Sequence, residues 1–158
     1  MTQTEQAPPA LAVTVSTVVP ASPDLVYAML SDVTAIGARS PETYAAQWLD
    51  GAGEEGSRFK GRNRIGFLRW STVATVTEAA AGRAFAFETS APSRTSWRYD
   101  LEAVDGGTRV TESMCKQEQQ PLPIRLMQRA AGVSDREAHL RAGMTTTLAR
   151  LAAAAAKA

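Results

Sequence analysis

Glu112 is the residue whose type and position carry the most chemistry. It alternates with Val110 and Met114 in a period-two run, so its carboxylate points to the same side as two core-type residues. A carboxylate held there either pairs with a cation or takes up a proton, and an acid protonated near neutrality suits proton transfer on a carbonyl compound. Arg136, near the start of the last helix, is one cation that could pair with it. Tyr99, on the inner phase of its own strand, is the second candidate for moving protons. Tyr99 and Asn63 could each hydrogen-bond a ligand carbonyl or phenol, or equally serve a buried backbone group.

The other reactive side chains point to plainer roles. His139, the one histidine of the chain, falls roughly 135° from the centre of the apolar stripe of the last helix, which predicts exposure to solvent. Cys115 is out of phase with Met114 and has no histidine placed to activate its thiol. With one Cys and one His, neither a zinc-finger set nor a three-histidine site can be assembled, so metal-free chemistry without a cofactor is expected. Gly51-Ala52-Gly53-Glu54-Glu55-Gly56 satisfies the letter of a dinucleotide-binding glycine motif. A strand rather than a helix follows it, and two glutamates would repel a pyrophosphate, so a hairpin turn is expected instead.

These side chains need a sheet and a helix to bring them together. Leu11 to Val19 is rich in β-branched residues and reads as a strand closed by Pro20 to Pro23. Ser22-Pro23-Asp24 offers an N-cap, a proline at N1 and a first-turn acid for a helix to about Leu30, and a second short helix ends near Gly37 before Ser40-Pro41. The segments TYAAQWLD, SRFKGRNRI, LRWSTVATVTE, RAFAFET, TSWRYDLEA and TRVTESMCKQE then follow with hairpin-length connections, an antiparallel meander. Leu122 to Ala131 predicts a short helix, and Ser134-x-x-Glu137 a capping box for a last helix running toward Lys157.

Alternation places Phe59, Gly61, Asn63 and Ile65 inward on one strand, Trp70, Thr72, Ala74 and Val76 on the next, then Phe85 and Phe87, then Trp97, Tyr99 and Leu101, and last Val110, Glu112 and Met114. Opposite them, Val133, Leu140, Met144, Leu148 and Leu151 form one helical stripe. Small and polar residues on the inner sheet face suit an interior that side chains do not fill, a cavity for a small, largely apolar molecule. Phe59, Asn63, Trp70, Phe87, Trp97, Tyr99, Glu112, Met114, Leu140, Met144 and Leu148 are the residues expected to line it.

Seventeen Lys and Arg against sixteen Asp and Glu leave a net charge of +1, so no global field gathers nucleic acid or an acidic membrane. Arg58, Lys60, Arg62, Arg64 and Arg69 share an outer sheet face from which Trp70 turns away, so they read as solvated charge. The chain length suits one domain, here residues 11–158 behind a disordered tail over residues 1–10. No stretch approaches a membrane span and no signal-peptide pattern opens the chain. A cytoplasmic monomer or homodimer is expected.

The order of strand, two short helices, six-strand meander and long terminal helix resembles the helix-grip fold of the SRPBCC superfamily, that of START domains and the birch-pollen allergen. Pro23 to Asp32, Ser40-Pro41-Glu42, Gly56 to Arg64, Gly107 to Ser113 and Gly143 to Leu151 resemble its bacterial polyketide cyclase/dehydratase and lipid-transport branch. The resemblance implies an α+β fold in which a curved antiparallel sheet wraps the C-terminal helix, with a binder, a carrier or a cyclase as the function. It also implies that Arg39, where many relatives carry an aromatic residue, lies at the cavity mouth and favours a ligand with an acidic group. Three functions therefore compete: binding of a lipid-like or polyketide-like molecule, cyclase/dehydratase chemistry through Glu112 or Tyr99, and protein interaction through the basic outer face.

Overall fold

A computed structural model of the chain describes residues 8–90 and 94–158. Most of the expected N-terminal tail lies outside the described residues. Strand β1 (Leu11–Val19) leads into helix α1 (Pro23–Ser31), where the Ser22 hydroxyl accepts from the Leu25 amide at 3.2 Å and Pro23 occupies the first turn. Val26 and Leu30 are the buried face of α1. The Asp32 carboxylate then caps a short 3-10 helix, Val33–Ala38, by accepting from the Thr34 amide at 3.1 Å. Gly37 lets this helix press on the next strand, because a Cβ there would stand 2.2 Å from the Tyr44 carbonyl oxygen.

Six strands follow: β2 (Thr43–Asp50), β3 (Arg58–Ile65), β4 (Leu68–Ala80), β5 (Ala84–Thr89), β6 (Thr95–Val104) and β7 (Gly107–Lys116). They form a meander that closes on β1, in the sheet order β1-β7-β6-β5-β4-β3-β2, every pair antiparallel. The glycine-rich segment is the β2–β3 turn, with Gly51, Gly53 and Gly56 all at positive φ. This accounts for the glycines without any phosphate site. A bulge between Val76 and Glu78 bends β4 against β5.

Helices α2 (Leu122–Ala130) and α3 (Arg136–Ala155) complete the chain. The cap of α3 is Asp135 rather than Ser134, its carboxylate accepting from the Ala138 amide at 3.0 Å. An acidic side chain one residue later takes the role expected of the hydroxyl, and it also faces the positive end of the helix dipole. Along α3, Leu140, Met144, Leu148 and Leu151 are buried as the stripe requires. The last two join Val26, Leu30, Phe85 and Val110 in the main core, while Leu140 and Met144 pack with Val13 and Met114 nearer the start of the helix. No helix among the described residues is long and apolar enough to cross a membrane.

Candidate functional site

The register of β6 on β7 sets the site. Tyr99 lies opposite Glu112, Trp97 opposite Met114 and Thr95 opposite Lys116, and residues two apart on one strand share a face. Between this face and α3 lies a pocket of about 810 Å³. Phe59, Phe87, Trp97 and Met114 from the sheet and Leu140 and Met144 from the helix give it an apolar girdle. Phe87 meets Phe59 edge-on at 5.0 Å and stacks on Trp97 at 6.4 Å. Trp70, half-buried, also borders the pocket. Leu148 does not: it is buried at 1% exposure in the main core, below the depth the pocket reaches.

At the inner end of the girdle the Tyr99 hydroxyl donates to Glu112 Oε1 at 3.1 Å. Glu112 is 3% exposed, and its Oε2 has no hydrogen-bond partner among the described residues. Burial raises the carboxyl pKa to about 7, against the opposing effects of the Tyr99 hydrogen bond and the Arg39 charge. Tyr99 is pushed well above its ordinary value, by burial first and then by Glu112 beside it. The pair is thus a phenol that keeps its proton and a carboxyl poised between its two states near neutral pH.

Arg136 is not the partner of Glu112. Its Nη1 and Nη2 donate to the two oxygens of Glu42 at 2.6 and 3.2 Å. Glu42, immediately before β2, is close enough to form a two-pronged pair that fixes both side chains. Arg39 is misplaced by the expectation as well. It is 7% exposed and does not border the pocket; it faces a smaller recess with Asp32 and Arg150. As the C-cap of the 3-10 helix it turns inward, where its charge reaches Tyr99, Asp32 and Glu112 and burial lowers its own pKa. It acts on the inner end of the site from behind rather than guarding an entrance.

Asn63 borders the pocket but is held by its neighbours: Oδ1 accepts from the Thr43 hydroxyl at 2.6 Å, and Nδ2 donates to the Thr72 hydroxyl at 3.3 Å. His139 is exposed, as its helical angle implies, and sits at the pocket border 3.9 Å from Glu42. Lys116 went unnoticed in the sequence although it continues the phase of Glu112 and Met114. It is 7% exposed and borders the pocket, and its pKa is drawn down by burial first and by Arg136 second.

Arg58 pairs with Asp50, Arg98 with Glu78 and Asp100, and Arg109 with Glu102, while Arg64 and Arg69 lie over the Tyr44 ring. Of the five basic residues expected on the outer sheet face, Arg58 alone has an acidic partner among the described residues.

Solved structures share this architecture at low identity. The Zhui aromatase/cyclase from Streptomyces sp. R1128 superposes with a TM-score of 0.73 at 16% identity, over 92% of this chain and 93% of its own. The di-domain aromatase/cyclase StfQ of the steffimycin biosynthetic pathway gives 0.72 at 12% identity, over 93% of this chain and 51% of its own length. Protein CV1439 from Chromobacterium violaceum gives 0.69 at 14% identity, over 90% of this chain and 96% of its own. No curated protein matches the chain in sequence. The helix-grip fold therefore rests on these superpositions, and residues 10–156 match the family described as polyketide cyclase / dehydrase and lipid transport, to which the chain belongs.

Proposed function

We propose that the chain binds a small, largely apolar molecule, aromatic or lipid-like, in the pocket between the sheet and α3. The observation that supports this best is the lining itself: a girdle of aromatic and aliphatic side chains around about 810 Å³, broken by a few buried polar groups, among them the Glu112–Tyr99 pair, Asn63 and Lys116. Ligand sites commonly fall in the range of about 300–1,000 Å³ and combine apolar walls with a few polar groups that fix orientation. Titration with apolar aromatic compounds should change tryptophan emission, because Trp70 and Trp97 border the pocket. The change should shrink in Trp97→Phe. A panel that leaves the emission of the wild-type protein untouched would count against binding.

A second reading is favoured by the Glu112–Tyr99 pair. A carboxyl with a pKa of about 7 can both accept and return a proton at neutral pH. On a poly-β-ketone held folded in the pocket, ionised Glu112 would take a proton from a carbon flanked by carbonyls. The carbanion adds to a distant ketone of the same chain, whose oxygen takes the proton back from Glu112 and becomes a hydroxyl; a second proton taken from the same carbon and returned to that departing hydroxyl leaves a carbon–carbon double bond and water. Tyr99, which keeps its proton, would hydrogen-bond the carbonyl oxygen. The cyclase/dehydrase description of the family agrees with such a role.

A further inference from the structure

The pocket has a second polar end. Glu112, Met114 and Lys116 share one face of β7, and at about 3.3 Å per residue the Lys116 backbone stands about 13 Å further along the strand than that of Glu112. Lys116 is 7% exposed and borders the pocket. No hydrogen bond or ion pair engages its ammonium among the described residues, and Glu42 acts on it only through its charge. Arg136 borders the same pocket, and with both Nη atoms committed to Glu42 its Nε is buried without a partner among the described residues. Buried Lys116 and half-buried Arg136 share one carboxylate, Glu42, which leaves one positive charge among the three uncompensated. Burial of the Lys116 side chain costs its ammonium part of its hydration, and a bound anion offsets that cost. Arg64 and Arg69 also border the pocket, but they are exposed and lie over the Tyr44 ring.

We propose that Lys116, with the Arg136 charge beside it, anchors a carboxylate, so that the ligand is an elongated apolar monoacid whose acid group sits at this end of the pocket. This rests on the pocket's being a binding site for an apolar molecule. A carboxylate matches the single excess charge of Lys116, Arg136 and Glu42, whereas a phosphate monoester dianion would leave a negative excess beside Glu42. The opposite end of the ligand, about 13 Å away by the strand spacing, would present a neutral carbonyl or hydroxyl to Tyr99 and Glu112.

The test compares dodecanoic acid, its methyl ester, 1-dodecanol and dodecyl phosphate by tryptophan emission at pH 8. The acid should bind the wild-type protein about tenfold or more tightly than the ester or the alcohol, the usual effect of a charge-assisted hydrogen bond. Lys116→Met, which keeps the stem and removes the charge, should abolish that preference and leave the alcohol's affinity unchanged. Equal binding of acid, ester and alcohol to the wild type overturns the carboxylate site while leaving the apolar pocket standing, and it does so without any variant. Tighter binding of the phosphate than of the acid overturns the monoacid assignment. Binding of none of the four overturns the pocket reading and this inference together.

Discussion

Met144→Asp is expected to abolish the folded state at ordinary temperature or bring it close to doing so. Met144 is 3% exposed and packs with Val13, Met114 and Leu140 beneath Trp97. Truncating a buried methionine costs about 2–5 kcal/mol on its own. An unpaired carboxylate in the same place adds a desolvation cost of several kcal/mol, against a total stability of about 5–15 kcal/mol for a typical domain. His139→Ala, five residues earlier on the same helix, removes an exposed side chain and should change stability by no more than about 0.5 kcal/mol. Thermal melts of the two variants side by side measure the contrast. Similar melting temperatures would mean that α3 presents a different face to the sheet.

The second large effect concerns Glu112→Gln and depends on pH. The folded carboxyl titrates at about 7, above its ordinary 4.5. Below about pH 4.5 both folded and unfolded chains hold the proton, and the stability of the fold is undiminished. As pH rises from there to 7 the unfolded chain ionises first, so stability falls by about 3 kcal/mol and then levels off. Glutamine can still accept from the Tyr99 hydroxyl and has no charge to bury. The wild-type protein should therefore lose roughly 6–10 °C of melting temperature between pH 5 and pH 8 relative to the variant. A constant difference between the two would show that Glu112 is solvated or paired. If the chain is a cyclase, the same substitution should lower turnover by about 10² to 10⁴-fold with ligand affinity retained.

The strands were legible because their alternation is strong: β1 and β2 have the limits expected, and the inner phase of β6 and β7 puts Tyr99 opposite Glu112. What failed was whatever depends on a side chain's direction outside regular structure, or on distances across the fold. Arg39 could be given a position in the chain from the resemblance, but the backbone of the 3-10 helix decides where its guanidinium goes. Arg136 was matched with Glu112, and spacing along the chain could not reveal that Glu42 is its partner. Leu148 shares a stripe with Met144, yet one further turn of helix, a rise of about 6 Å, carries it out of the pocket and into the solid core. Lys116 could have been found, since the period-two rule that placed Glu112 inward places it inward too. It was passed over because lysine is seldom buried.

The claim that this pocket takes an apolar ligand is tested most directly by labelling the methionine methyl groups with carbon-13 and titrating the protein with dodecanoic acid. Met114 and Met144 border the pocket, Met29 borders the separate recess beside Arg39, and Met127 is exposed on α2. The methyl resonances of Met114 and Met144 should shift together and saturate on one isotherm, with those of Met29 and Met127 unmoved. Shifts confined to Met127, or none at all at saturating ligand, would contradict a ligand site between the sheet and α3.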